Sequence, residues 1–457
     1  MLTVLAYLMI IAFMIVIMKK WLSPFITLVL VPIVFAVVAI LTGLAQYAKG
    51  DDGVVVKNLG TMIMNGMSGV AGTGIMLIFA ILYFSIMLDA GLFDPITKRM
   101  IYFAKGDPMK ILVATAIVAA AVSMNGDGTT TTLIVVSAFL PIYKKLDMKI
   151  MNLGVLLILQ NTIMNLLPWG GPTARVMAVM KVDAKILTYL LPGMILALVY
   201  VIAFVAVRMG RQERKRLGIS TLTYQEIDAM LEIKDEATLK LRRPKFFAFN
   251  GVLTIVLIVW LVTSSFVEAV AVPPSVLFLI GTVIALMVNY PNLKEQSSRI
   301  AEHGGDALQV VILIFAAGVL LGLFSGTGMA SALSANLVSI IPASWGKAYG
   351  LIIAFLSAPG TFFLSNDGFY FGVMASLGKV GASFGFTNMQ LAVASLMGQA
   401  FHLLSPLVAF IYLLLRLTGL DMGAWQRESA KYALGVFAIF ILTGLMFFAV
   451  PGHMLFG

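Results

Sequence analysis

Twice along this chain, an apolar run long enough to be one membrane-crossing helix is broken in its middle by Asn, Asp, Gly, Ser and Thr. That duplicated interruption restricts the fold more than any other feature. The first is Ser123-Met124-Asn125-Gly126-Asp127-Gly128-Thr129-Thr130-Thr131-Thr132; the second is Leu364-Ser365-Asn366-Asp367-Gly368-Phe369-Tyr370. Non-helical backbone at membrane depth is tolerated only where protein or a watery cavity satisfies its N–H and C=O groups, so neither segment can face lipid. The glycines let the chain reverse, and each unit reads as a re-entrant helical hairpin.

Composition supports a membrane setting. Of 457 residues, 60% are hydrophobic and 11% charged, with a mean hydropathy of +1.01, where a soluble domain carries roughly 25% charged residues. Runs of about 20 apolar residues, each able to cross a core roughly 30 Å thick, recur throughout. Spanning or membrane-entering segments are expected at 2–18, 24–45, 69–89, 110–143, 150–180 and 185–208, then at 246–265, 272–289, 306–325, 347–379, 388–416 and 429–450. The first run has no basic residue before it and no small-residue cleavage site after it, so it is expected to remain as a spanning helix.

Between the two sets lies a charged stretch, 209–245, too polar for lipid and partly helical in expectation. The chain therefore divides into a first repeat (1–208), a linker (209–245) and a second repeat (246–457), each repeat with broken fourth and fifth units. Counting the fourth unit as a hairpin leaves five crossings per half. An odd number inverts the second half, the arrangement of many secondary transporters. The expected fold class is an all-α polytopic membrane protein with an inverted repeat, two re-entrant hairpins and two unwound helices.

Charge tests this arrangement. With the linker placed in the cytoplasm, 24 of the 31 Lys and Arg fall in inside loops, six (Lys49, Lys57, Lys181, Lys185, Lys347, Lys379) fall outside, and Arg175 lies within a broken segment. Both termini are then expected to face outward, at a plasma or inner membrane. The net charge of +10 is thereby explained by location, without nucleic acid. Absence of cysteine excludes disulfides and thiolate metal sites, and three histidines (His303, His402, His453) do not make a multi-His cage.

The interruptions concentrate the candidate chemistry. Asp127 and Asp367 stand 240 residues apart, close to the offset between the starts of the two halves near 2 and 246. Each could bind a cation or proton, or merely cap a helix. Free amides, Thr hydroxyls and the positive dipole end of the helix after Asp127 would suit an anion. The fifth units, Gln160 to Arg175 and Gly398 to Pro406, carry prolines and glycines that unwind a helix, with Asn165-Leu166-Leu167 matching His402-Leu403-Leu404. Arg175 could meet a substrate carboxylate or pair with Asp127. His402 could carry a proton or serve as an interhelical hydrogen-bonding residue. Gly322, Ser325, Gly326, Thr327 and Gly328 read as a close-packing patch, and Trp21, Trp260 and Trp345 as interface anchors.

At Asn125-Gly-Asp-Gly-Thr-Thr-Thr, Leu167-Pro-Trp-Gly-Gly-Pro-Thr-Ala-Arg175 and Leu364-Ser-Asn-Asp-Gly-Phe-Tyr-Phe-Gly372, the chain resembles the citrate-metal-proton symporter family. That family lies within the ion transporter superfamily, which includes the divalent anion:sodium symporters. The family commonly has Asp at position 125 and Ala at position 368. The resemblance implies proton-driven symport of citrate complexed with a divalent metal, without a permanent cofactor, by a homodimer. It also implies an elevator mechanism, with a transport domain near 105–182 and 345–418 moving against the remainder. Substrate contacts are expected from Asn125, Gly126, Thr129, Thr130, Asn165, Gly170, Arg175, Ser365, Asn366 and Ser405. Coupling is expected from Asp127, Asp367, His402 and Asn161, with Asp127 and Asp367 also the candidate metal contacts. The alternative within transport is sodium-coupled uptake of an uncomplexed di- or tricarboxylate. An intramembrane enzyme is disfavoured because H-E-x-x-H and G-x-S-x-G are absent, and a nucleotide-driven pump because no P-loop is present.

Overall fold

The computed structural model describes residues 1–45, 58–232, 235–264, 267 and 270–448. Lys49, Lys57, Lys234, His453 and the ends of the expected segments 246–265 and 429–450 lie outside the described residues. Every regular element among them is helical.

The first half runs α1 (Leu2–Met18), α2 (Pro24–Leu41), α3 (Leu59–Asp89), α4 (Asp94–Ala104), α5 (Pro108–Ser123), α6 (Gly128–Lys145), α7 (Ile150–Met164) and α8 (Gly171–Met180). It ends in α9 (Ile186–Val199), which passes through a π-helical turn, Tyr200–Ala206, into α10 (Val207–Leu217). The linker forms α11 (Tyr224–Leu231) and α12 (Glu236–Leu241). The second half follows a similar order: α13 (Phe247–Ser264), α14 (Pro274–Asn289), α15 (Leu293–Gly326), α16 (Met329–Ile340), α17 (Ala343–Gly346) and α18 (Tyr349–Phe363). After a π-helical turn at Gly368–Met374 come α19 (Ala375–Ser383), α20 (Asn388–Leu396), α21 (Gln399–His402), α22 (Ala409–Thr418) and α23 (Met422–Phe448). Among the described residues, six helices are long and apolar enough to cross a membrane: Pro24–Leu41, Leu59–Asp89, Ile186–Leu217, Pro244–Ser264, Leu293–Gly326 and Met422–Leu445.

Two long helices, α3 and α15, pack along each other because glycine removes the side chains from their crossing. A Cβ on Gly66 would lie 2.0 Å from the Gly318 carbonyl oxygen, and one on Gly322 would lie 2.1 Å from that of Met62. Such backbone approach is what small residues provide between helices in lipid. The small-residue patch at the end of α15 thus has the close-packing role expected of Gly322 and Gly326. Trp21, Trp260 and Trp345 are exposed.

The structure moves two helix starts and adds two short helices. Helix α15 begins at Leu293 and α3 at Leu59, each ahead of the expected apolar segments. Charged Lys294, Glu295, Arg299 and Glu302 keep the first turns of α15 out of an apolar window while leaving helix formation intact. Short helices α4 and α16 occupy stretches read as loops. In α4, Pro95 suits the first turn, and buried Thr97, Ile101 and Ala104 make one inward face opposite the cations.

The linker is docked as well as helical. Leu222 N–H donates to Lys105 O at 3.1 Å, Lys98 pairs with Asp228 at 2.7 Å, and Arg214 bonds Asp107 at the base of α5. Thr223 and Glu226 form a capping box at the start of α11, and Glu226 also pairs with Lys145 at the base of α6.

Candidate functional site

Each apolar interruption becomes a turn between two helices, and each turn lies against a broken helix. In the first, α5 ends at Ser123 and the chain reverses through Gly126, whose φ of +79° belongs to glycine. The Asn125 side-chain oxygen accepts from Asp127 N–H at 2.6 Å, and Asp127 caps α6 by accepting from the amides of Thr129 (3.2 Å) and Thr130 (2.6 Å). This corrects the expectation of free amides at the tip. The Asp127 carboxylate holds those of Thr129 and Thr130, so the donors left there include the Thr129 and Thr130 hydroxyls. The Asn125 amide nitrogen is buried with no partner among the described residues, a donor still available.

The break between α7 and α8 supports this tip from behind. Pro168 and Pro172 bar a continuous helix, and Gly170 permits the sharp turn, since a Cβ there would sit 2.0 Å from Asn165 O. The Asn165 side chain accepts from Gly171 N–H at 3.3 Å, and Thr173 Oγ1 donates to Leu166 O at 2.9 Å. Trp169 Nε1 donates to Met124 O at 2.7 Å, joining the break to the hairpin, while its ring stacks on Phe84 of α3 and meets Phe278 of α14 edge-on. Asn161 donates to Ser123 Oγ at 3.4 Å. Asn165, Gly170 and Asn161 therefore shape the broken helix.

The second tip is built differently. Ser365 Oγ accepts from Gly368 N–H at 3.1 Å, starting the π-helical turn, and Asn366 Oδ1 accepts from Gln399 Nε2 at 2.9 Å. Gln399 also donates to Tyr370 OH at 2.9 Å. His402 Nδ1 lies 2.6 Å from Thr361 O, and Ser405 Oγ donates to Phe362 O at 2.6 Å. Since a carbonyl can only accept, Nδ1 carries the hydrogen and Nε2 is the position left for a further proton. Ser405 is fully buried and acts as a staple between the second break and α18.

Arg175 joins the halves. Its Nε lies 2.6 Å from Asp367 Oδ1 and its Nη1 donates to Gly171 O at 2.9 Å, with the two ionic side chains 16% and 12% exposed. Its carboxylate partner within the chain is Asp367 and not Asp127, one of the two alternatives the sequence leaves open. In this structure the Asp127 carboxylate is bound to amides and that of Asp367 to a guanidinium. Two contributors escaped the sequence reading. Gln399 ties the second break to its tip, and fully buried Gln160 has both amide atoms unpartnered among the described residues. The one signal for each was an amide side chain within an otherwise apolar broken unit.

Paired hairpin turns, paired broken helices and a buried cross-repeat ion pair, set among helices long enough to span lipid, define a polytopic membrane protein of the transporter type. Solved structures share this fold: the YdaH transporter of Alcanivorax borkumensis (TM-score 0.60, 13% identity, covering 93% of this chain and 98% of that one) and MtrF of Neisseria gonorrhoeae (TM-score 0.59, 13% identity, 94% and 95%). The chain belongs to the CitMHS citrate transporter family, whose model matches residues 13–398, and is a transporter rather than an enzyme. Three relatives from Bacillus subtilis (strain 168) align over nearly their whole lengths. They are a citrate transporter (43% identical, 98% of this chain, 99% of that one), the uncharacterized transporter YraO (41%, 97% and 99%) and a Mg(2+)/citrate complex secondary transporter (38%, 97% and 98%).

Proposed function

We propose that this chain is a secondary active transporter that carries citrate as its complex with a divalent metal ion, coupled to protons. The observation that carries the reading is the Arg175–Asp367 pair, which puts one cation and one carboxylate at the meeting point of both broken repeats. Free citrate bears about three negative charges, which a single Arg already paired with Asp367 would not offset. One divalent ion lowers the formal charge of the complex to −1. The Mg(2+)/citrate relative supports this substrate.

In this reading Arg175 exchanges Asp367 for a citrate carboxylate. The Asn125 amide, the Thr129 and Thr130 hydroxyls, Ser365 and Asn366 supply neutral contacts around Gly126 and Gly170. A proton taken by Asp367, or by His402 at Nε2, offsets the charge Arg175 gives up, which links proton binding to substrate binding. The metal travels held chiefly by citrate oxygens, as a hard cation prefers.

The repeats are inverted, and the body near 105–182 and 345–418 moves as an elevator against a scaffold centred on α3 and α15. The protein works as a homodimer in the cell membrane, with both termini outside. The order of long helix, short helix, hairpin and broken helix in both halves supports the repeat.

The test is uptake of radiolabelled citrate into vesicles with Mg2+, with other divalent ions, and with chelator. Uptake that requires the metal and rises with an inward proton gradient is the expected result. Uptake undiminished by chelator, or driven by sodium, would replace this reading with carriage of the free carboxylate.

A further inference from the structure

The helix Ile186–Leu217 has two differently employed cationic faces beyond its apolar part. On one, Arg214 donates to Asp107 at 3.0 Å and Arg216 pairs with Glu213 at 2.7 Å, both turned toward the hairpin base. On the other, Arg208, Arg211 and Lys215 are exposed and form no ion pair or hydrogen bond among the described residues. These three continue, at helical spacing, an exposed apolar stripe of Leu196, Val199 and Phe204, which are 52%, 55% and 50% exposed. The π-helical turn at Tyr200–Ala206 adds the residue that keeps Val199 and Phe204 on one line.

The neighbouring α23 repeats the pattern in the opposite direction. A Cβ on Gly193 would touch Thr443 and Phe440, and one on Gly435 would lie 2.4 Å from the Tyr200 hydroxyl, so the two helices run antiparallel. Stepping on by the same distance brings Arg208 level with Arg427 and Lys431, both exposed. Beneath them α23 also presents bare apolar side chains, Leu434 and Leu442, 59% and 65% exposed. Tyr200 and Tyr432 lie within Coulombic range of Arg208 at this boundary, the position that tyrosines favour between lipid and water. The acidic group here is Glu428, which pairs with Lys431 at 2.6 Å and leaves a cationic excess.

We propose that the exposed seam between Ile186–Leu217 and α23 binds one anionic phospholipid, its headgroup phosphate between Arg208, Arg427 and Lys431 and an acyl chain along the Phe204 and Leu434 stripes. Charge selects the headgroup, and the continuous apolar stripes select a membrane lipid over a soluble anion.

Native mass spectrometry of the full chain, purified with phosphatidylglycerol or phosphatidylcholine, tests this. The wild type should retain phosphatidylglycerol preferentially. Arg208→Gln/Lys431→Gln should lower that retention by about tenfold, while Lys19→Gln/Lys20→Gln, which removes equal charge elsewhere, should leave it unchanged. Equal retention of both lipids, equal loss in the control pair, or displacement by inorganic phosphate would overturn the proposal. A Phe204→Cys variant of this cysteine-free chain gives a second check. Failure to form a disulfide between copies in membranes is expected, and efficient formation would assign the seam to a second copy instead.

Discussion

The two hairpin tips share an Asp-Gly pair but use the aspartate for different work. At the first, Asp127 is spent locally, accepting two amides at the start of α6. At the second, Asp367 is turned away from its own helix start, where Ser365 does the bonding, and reaches Arg175 from the other half of the chain. One tip is a self-contained cap; the other is an ionic contact between the two halves, the one the proposed mechanism has a substrate anion compete for. Repetition of a motif therefore does not imply repetition of a role.

The largest expected effect comes from removing the shared cation. Arg175→Ala leaves Asp367 partly buried without a counter-charge, a change that costs about 3–5 kcal/mol when one member of such a pair is lost, and it also removes the proposed citrate contact. Citrate uptake in vesicles should fall by at least about a hundredfold, whereas an Asp127→Ala variant should keep measurable uptake. Equal loss in both would erase the distinction between the tips. Next comes Trp169→Ala, which breaks the bond to Met124 and the stack on Phe84. It should destabilise the first tip by about 3–5 kcal/mol, read as a lower melting temperature in detergent.

Asp127→Ala itself should cost about 0.5–2 kcal/mol as a lost cap, and Asp127→Ser should recover most of it. Failure of serine to recover it would show that the charge at 127, rather than the cap, matters. The smallest effect concerns the linker. The hydrogen bond from Lys145, with those from Thr223, pushes the Glu226 carboxyl down to about 2. A lowered folded value stabilises above the ordinary carboxylate range and is lost only as pH falls toward that value. Proteolysis of the 218–223 segment should thus be unchanged between about pH 5 and 8. A change there would place a pH-sensitive contact in the linker and weaken the assignment of proton dependence to the tips.

The tips and breaks were legible because Gly, Pro, Asn and Asp at membrane depth leave the chain few alternatives. The helical extent was less so. Hydropathy registers what enters lipid, so α4 with Lys98 and Arg99, and the charged first turns of α15, were read as loops although their backbones are helical. Within the site, local features such as the Gly126 turn and the Pro-Gly break followed from residue type. The partner of Arg175 did not, because Asp367 lies 192 residues away and only packing decides between two similar carboxylates. Gln399 was hidden for the same reason: its bonds to Asn366 and Tyr370 exist only once the second break folds onto its hairpin.

The most direct test of the central claim is citrate uptake by Asp367→Asn in proteoliposomes under an imposed inward proton gradient. The account predicts a folded protein in which the gradient no longer accelerates uptake, since the group exchanged at Arg175 can no longer take a proton. Wild-type acceleration by that variant would contradict it.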